Sequence, residues 1–388
     1  MYDVFPRSEH WYIENGIAYF IDTYGNRLCS YNFTSITLSI LGDIPLGEGT
    51  NISYSVCVKY ENSIFCFPYK GMDILIFDID KKIWSVLEVR KDDLEYLGIM
   101  GVGKVAPYLY AYMVNINDVM ILNLETKKYS FWESSTLLEG SIYEFFFENN
   151  ILYSFPVCLA KCIKKYIHIW NLADRSKRTL ELPHQIDRLD TISFDGEFFW
   201  ISKPKEVYRW NPITHELIAL HNFPSEFKIK SSPQTNGGKN VPSGFTKAIF
   251  LQRQVWFVPH MSNPICVLNV NTEKWKLLRI GLCSLTKKEM VDKPNQYIVQ
   301  YIREGRYIGL WIKASEQCIE IDTKRLSVRP IYYRLELANS KSLRSYIFSE
   351  MSRIFDRFIY KELVAQKEVQ RISFGDIGTS IYKQILKV

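Results

Sequence analysis

With 388 residues, 47% hydrophobic and 23% charged, the chain has the make-up of a globular protein rather than a disordered or fibrous one. No stretch approaches ~18 uninterrupted apolar residues, so no helical membrane span is expected, and Met1-Tyr2-Asp3 lacks the basic start and apolar stretch of a secretory leader, so none is expected. The net charge of +6 is gathered at the end: from Lys341 onward nine Lys/Arg face five Asp/Glu, so the nearly balanced remainder argues against general nucleic-acid binding.

Taken in chain order, seven short apolar runs each end in a large apolar residue followed by Asp or Asn. They are Tyr31-Asn32, Phe77-Asp78, Leu122-Asn123, Trp170-Asn171, Trp210-Asn211, Leu268-Asn269 and Ile321-Asp322. The steps between successive Asx positions are 46, 45, 48, 40, 58 and 53 residues, the period of a propeller blade. Within each unit a polar turn such as Glu14-Asn15-Gly16 or Glu304-Gly305 precedes a β-branched and aromatic run such as Ile64-Phe65-Cys66-Phe67. The Asx then opens a tight turn. Six residues beyond it stands Leu38, Trp84, Tyr129, Leu217, Trp275 or Val328; the fourth unit has Lys177 instead. Trp84 and Trp275 are expected to pack between adjacent sheets.

A four-stranded unit of this kind cannot bury both faces alone, so the units must close into a ring. The fold class is therefore all-β: a seven-bladed β-propeller over 1–338, or six blades if the weaker first unit is a separate hairpin. Two wide spacings mark insertions: 221–245, a Pro/Gly/Ser loop, and 281–296. Both belong on the ring face that also carries the connections between second and third strands. Beyond 339 the pattern changes. Leu343, Ile347, Met351, Ile354 and Phe358 recur at helical steps, predicting a helix over about 343–366 and a short one over 376–386. The second domain is this tail, 339–388, a short helical appendage.

The turn before the second strand, the Asx-closed third strand and the Trp six residues on resemble the kelch-type propellers, including the central domain of the galactose oxidase group. The resemblance spans roughly residues 10 to 335. It departs at the Gly-Gly doublet that kelch repeats place after the second strand; here Phe67-Pro68, Phe155-Pro156 and Val258-Pro259 stand instead. The group's copper site does not transfer, because no residues match its motif.

Motifs for nucleophile elbows, phosphate loops, dinucleotide binding and paired-histidine metal sites are absent. The six histidines are scattered, Cys158 and Cys162 make a poor zinc half-site, and the eight cysteines read as reduced, buried thiols in a cytoplasmic protein. Neither a catalytic residue nor a cofactor nor a metal is expected. One constellation stands out: basic and aromatic residues in the second-to-third-strand connections, namely Tyr69, Lys70, Lys165, Lys203, Lys205, His260 and Lys313. They are the candidate contacts for an acidic peptide or anionic glycan. On the tail, Arg353, Arg357 and Lys361 share one helix face and form a candidate docking stripe. The leading expectation is a non-catalytic scaffold that binds another protein through one ring face and the C-terminal helix. The alternative is a carbohydrate-binding or carbohydrate-active protein with its site in the channel mouth.

Overall fold

In a computed structural model of the chain, residues 8–336 are described apart from 9, 24–25, 46–52, 92–93, 133–141, 158–164, 187–188, 204–205, 228–230, 233–240, 243, 260–263, 281–296 and 313–316. The described residues form seven four-stranded antiparallel sheets, each a simple meander. Within a blade the strands are lettered a to d in chain order. The a strands are Trp11–Glu14, Ser53–Tyr60, Ile99–Val105, Ile142–Glu148, Thr191–Phe194, Phe245–Leu251 and Tyr297–Arg303. Those of blades one and two, two and three, three and four, five and six, six and seven, and seven and one lie against each other. That closes a ring of seven blades around a hub, and the six-blade alternative falls because the first unit is a complete sheet. The predicted C-terminal helices lie outside the described residues.

The core is divided among the seams between blades, as a stack of half-sandwiches requires. Blades two and three share Val56, Phe67, Ile76, Leu109 and Met120; four and five share Tyr153, Phe155, Ile169, Phe199 and Trp210. Trp84 packs with Phe77 and Tyr19 between blades one and two, and Trp275 with Phe257 and Phe245 between five and six, as expected.

The turn between strands c and d explains the spacing of the repeat. The Asx side-chain oxygen accepts backbone N–H groups two and three residues on: Asn32 from Thr34 and Ser35, Asp78 from Asp80 and Lys81, Asn123 from Glu125 and Thr126. Asn211, Asn269 and Asp322 repeat both bonds, and Asn171 accepts from Ala173. Four residues past the Asx the chain turns left-handed in all seven blades, at Ile36, Lys82, Lys127, Arg175, His215, Glu273 and Leu326, with φ between 52° and 61°. None is glycine; the side-chain cap and the sheet hold a conformation that costs an L-residue energy. The turn then sets residue Asx−1 directly opposite residue Asx+6, as in Phe77↔Trp84, Leu268↔Trp275 and Trp170↔Lys177. The fourth blade's lysine is thereby accounted for: its Nζ lies 5.5 Å from the Trp170 ring centre, a cation–π contact in place of an apolar one.

The prolines at the kelch doublet position also have a structural role. Pro68, Pro156 and Pro259 lie inside the b strands Ser63–Lys70, Ile151–Val157 and Gln254–Pro259. Proline has no N–H for the ladder, and pairing with strand c stops short of it, at Cys66↔Leu75, Ser154↔His168 and Phe257↔Cys266. In blades one, three and seven, without proline there, pairing continues to Asp22↔Arg27, Met113↔Asp118 and Ile312↔Gln317.

The chain closes its own ring. After blade seven, Arg334–Glu336 adds in parallel to the outer strand of blade one, Thr37–Asp43, with Arg334 N–H donating to the Ile36 carbonyl at 2.8 Å. Within 221–245, read from sequence as structureless, Ser231–Ser232 pairs with Val241–Pro242. Phe227 stacks on Phe245, ring centres 4.6 Å apart, so the start of this insertion is anchored in the seam between blades five and six.

Candidate interaction face and polar hub

The meander puts the b–c and d–a connections on one ring face, here the upper face, and the a–b and c–d turns on the other. Tyr69 and Lys70 end strand b of blade two and are exposed on that upper face. The backbone there is tied to the next blade: Gly98 N–H donates to the Tyr69 carbonyl at 3.1 Å and Leu97 N–H to the Gly71 carbonyl at 2.9 Å. Gly98 sits at φ +63°, and a Cβ there would meet the Asn115 side chain, whose Nδ2 holds the Tyr96 carbonyl at 3.0 Å. The tie brings Tyr69, Tyr96 and Met100 to one junction, 38%, 37% and 40% exposed. Three large apolar residues exposed along one backbone junction differ from a lone exposed apolar residue. Around them the charges are paired: Arg90 with Asp73 at 3.3 Å and Lys91 with Asp118 at 2.9 Å. Lys70 has no ion pair among the described residues.

The other basic candidates stand elsewhere on the same face. Lys165 is buried, and its Nζ donates to the Ile186 carbonyl at 3.2 Å, tying the blade-four sheet to the connection into blade five. Lys203 pairs with Glu206 at 3.4 Å across its own hairpin and lies over the Tyr208 ring. Lys205, His260 and Lys313, and Arg353, Arg357 and Lys361 of the tail, lie outside the described residues, as do Cys158 and Cys162.

The hub holds charged groups that counting loops did not find. Counting back from the last residue of strand a, the fifth position is His10 in blade one, Glu144 in blade four, Asp190 in blade five and Lys247 in blade six. Lys247 donates to the Phe145 carbonyl at 2.7 Å, a polar link from blade six to blade four. Burial lowers the Lys247 ammonium, with Glu144 opposing; burial raises the Glu144 carboxyl, with Lys247 opposing. Burial, then the Lys247 charge, pushes His10 down to about 4, so the imidazole is neutral at pH 7. Toward the lower face, Glu14 accepts from Lys59 at 3.0 Å, Lys104 at 3.2 Å and Tyr12 at 3.0 Å. Burial pushes Glu14 up, but these bonds outweigh it and hold the carboxyl below its usual range. Alignment of the a–b turns was the signal for these residues: only then do positions from distant blades fall at one height. Among the described residues no group of three His, Cys, Asp or Glu side chains is placed to hold a metal ion.

No family model matches the chain, and no curated protein sequence does. Solved structures do. A chain of a mitotic checkpoint complex is similar over 84% of this chain and 87% of its own, at 9% identity and a TM-score of 0.50. The tricorn protease matches over 83% of this chain but 34% of its own, at 11% identity and a TM-score of 0.50. A structure of U3-55K covers 77% of this chain and 85% of its own, at 10% identity and a TM-score of 0.47. At such identities the likeness to the first two shows the propeller fold alone, which hosts many functions and often mediates protein interactions. No helix among the described residues is long and apolar enough to cross a membrane.

Proposed function

We propose that this propeller is a non-catalytic protein-binding scaffold that seats a partner on its upper face, with Tyr69, Tyr96 and Met100 as anchors and Lys70 at their edge. The exposure of these three side chains at one backbone-tied junction carries the reading. Tyrosine and methionine are enriched in interface cores, and a few such residues supply most binding energy. Lys203, Lys205, His260 and Lys313 extend the face around the ring. Arg353, Arg357 and Lys361 of the tail serve as a second contact for an acidic partner. The kelch-type grouping belongs to the same reading, supported by the Asx-closed c strands and by Trp84 and Trp275. So does a cytoplasmic setting, supported by five buried free cysteines among the described residues. The test is quantitative capture with wild type and the double variant Tyr96→Asp, Met100→Asp. A partner retained roughly tenfold less by the variant, at an unchanged urea midpoint, supports the scaffold; a partner set identical for both proteins sinks it.

The second reading places a small polar ligand, such as a sugar, at the hub. His10 Nδ1 has no hydrogen-bond partner and is shielded from solvent, and Glu144 and Lys247 supply an acceptor and a donor. A glycan array without hits removes it, and so does a glycan hit whose affinity is unaltered in Lys247→Met.

A further inference from the structure

Outer strands are unpaired edges, and proteins blunt such edges with charge, proline or a cover. Blade one is covered by Arg334–Glu336. Blade four carries Lys177, Arg178 and Glu181 within Ser176–Glu181, blade six Lys276 within Trp275–Leu278, and blade seven Arg329 and Pro330 within Ser327–Pro330. Blade five's edge has three residues, Leu217–Ala219, and in blade three Lys91 lies over Phe131 of Tyr129–Trp132. Blade two differs. Its edge, Ile83–Leu87, reads Ile-Trp-Ser-Val-Leu, has no charge, and leaves Ile83 56% and Val86 57% exposed.

That strand is also complementary to itself. A two-fold axis at Ser85 sets Ser85 against Ser85 of a second copy, Trp84 against Val86, Ile83 against Leu87, and at the flanks Lys82 against Glu88. Apolar meets apolar and opposite charges face each other at both ends, the isologous pattern of a cyclic dimer. Blade one shows that an outer strand of this ring accepts a fifth strand. We propose that the outer edge of blade two is a homodimerisation site, where two copies pair Ile83–Leu87 antiparallel about Ser85 to form one continuous eight-stranded sheet. Two five-residue strands bury far less than the ~800 Å² per partner of a standard stable interface, so the dimer is weak and concentration-dependent.

The full chain is to be followed by sedimentation equilibrium up to about 100 μM, with Ser85→Lys, Ser85→Glu and an equimolar mixture of the two. Wild type is expected to shift from monomer to dimer across that range. Each single variant sets like charges opposite each other and should weaken dimerisation roughly tenfold or more, while the mixture should regain it as a heterodimer. Ser85 is exposed, and unchanged urea midpoints confirm that both variants fold. A wild type that stays monomeric throughout, or a dimer indifferent to Ser85→Lys, overturns the proposal. So do single variants that dissociate without rescue on mixing, since residue 85 would then not meet its own copy.

Discussion

Two seams of the ring are built from different chemistry. Between blades three and four, Gly101 and Gly103 leave room for Phe145 and Phe147: a Cβ at Gly103 would lie 2.7 Å from the Phe147 ring. Tyr112, Asn117 and Ser154 hydrogen-bond to one another beside them. Between blades seven and one, Trp11 is stacked between Phe20 at 4.6 Å and Tyr301 at 5.1 Å. Behind this stack Glu320 is buried, accepting from Arg303 at 3.0 Å, Tyr301 at 3.1 Å and Arg329 at 3.1 Å. Blades three and four are consecutive, so a linker keeps them together. The closing seam joins residues as far apart as Tyr31 and Tyr332 and must offset the closure entropy of the whole ring. The Tyr31 hydroxyl donating to the Tyr332 carbonyl, the Gln300 amide donating to the Ser8 carbonyl at 3.0 Å and the Arg334–Glu336 clip supply directional contacts where the chain supplies no tether. The Glu320 ion network braces blade seven beside them.

Breaking the blade-seven network beside the closing seam should have the largest effect. Glu320→Ala removes the buried acceptor shared by Arg303, Tyr301 and Arg329, leaving Arg303 only the exposed Glu304 carboxylate, and is expected to cost about 3–5 kcal/mol, read as a lower urea midpoint. Should the cost fall under about 1 kcal/mol, the range of an exposed pair, the network is not what braces blade seven. Gly101→Val overfills the interior seam, because its side chain would overlap the Phe145 ring; a loss of about 1–3 kcal/mol is expected. The turn caps belong to no seam and should be equivalent around the ring. Asn123→Ala and Asn269→Ala should each cost about 1 kcal/mol, and a clear inequality would show that the seams determine the turns.

The smallest effect concerns pH. Burial, then the Asp195 charge, raises Glu148 from 4.5 to about 7. A carboxyl raised on folding is protonated in the native state while the unfolded chain has already released its proton. Stability is therefore full below pH 4.5 and falls as pH rises to about 7. Glu148→Gln should flatten the urea midpoint across this window, and an unchanged slope would show that Glu148 is not the group responsible.

Much of the ring was legible because its turn is local. One Asx side chain accepts the amides two and three residues on, and the same geometry sets the partner six residues on. The seven repeats and Trp84 and Trp275 therefore follow from spacing, while the completeness of the first blade does not. The left-handed residue four past the Asx escaped notice because Ile36, Lys82 and Leu326 are not glycine. Prolines at 68, 156 and 259 read as a departure from a family pattern, whereas they mark where strand c leaves strand b. The basic residues of the upper face were countable but not their partners: Glu206 neutralises Lys203, and the Ile186 carbonyl takes the Lys165 ammonium.

By itself, then, the sequence determined the repeating sheet and its turns, because hydrophobic alternation and Asx capping act within a few residues. Tertiary structure alone decided which strand closes the ring, which charges meet in the hub at His10, Glu144 and Lys247, and which apolar residues reach the surface at Tyr96, Met100 and Ile83. Those outcomes depend on contacts between residues tens to hundreds of positions apart, and such contacts leave no period to read.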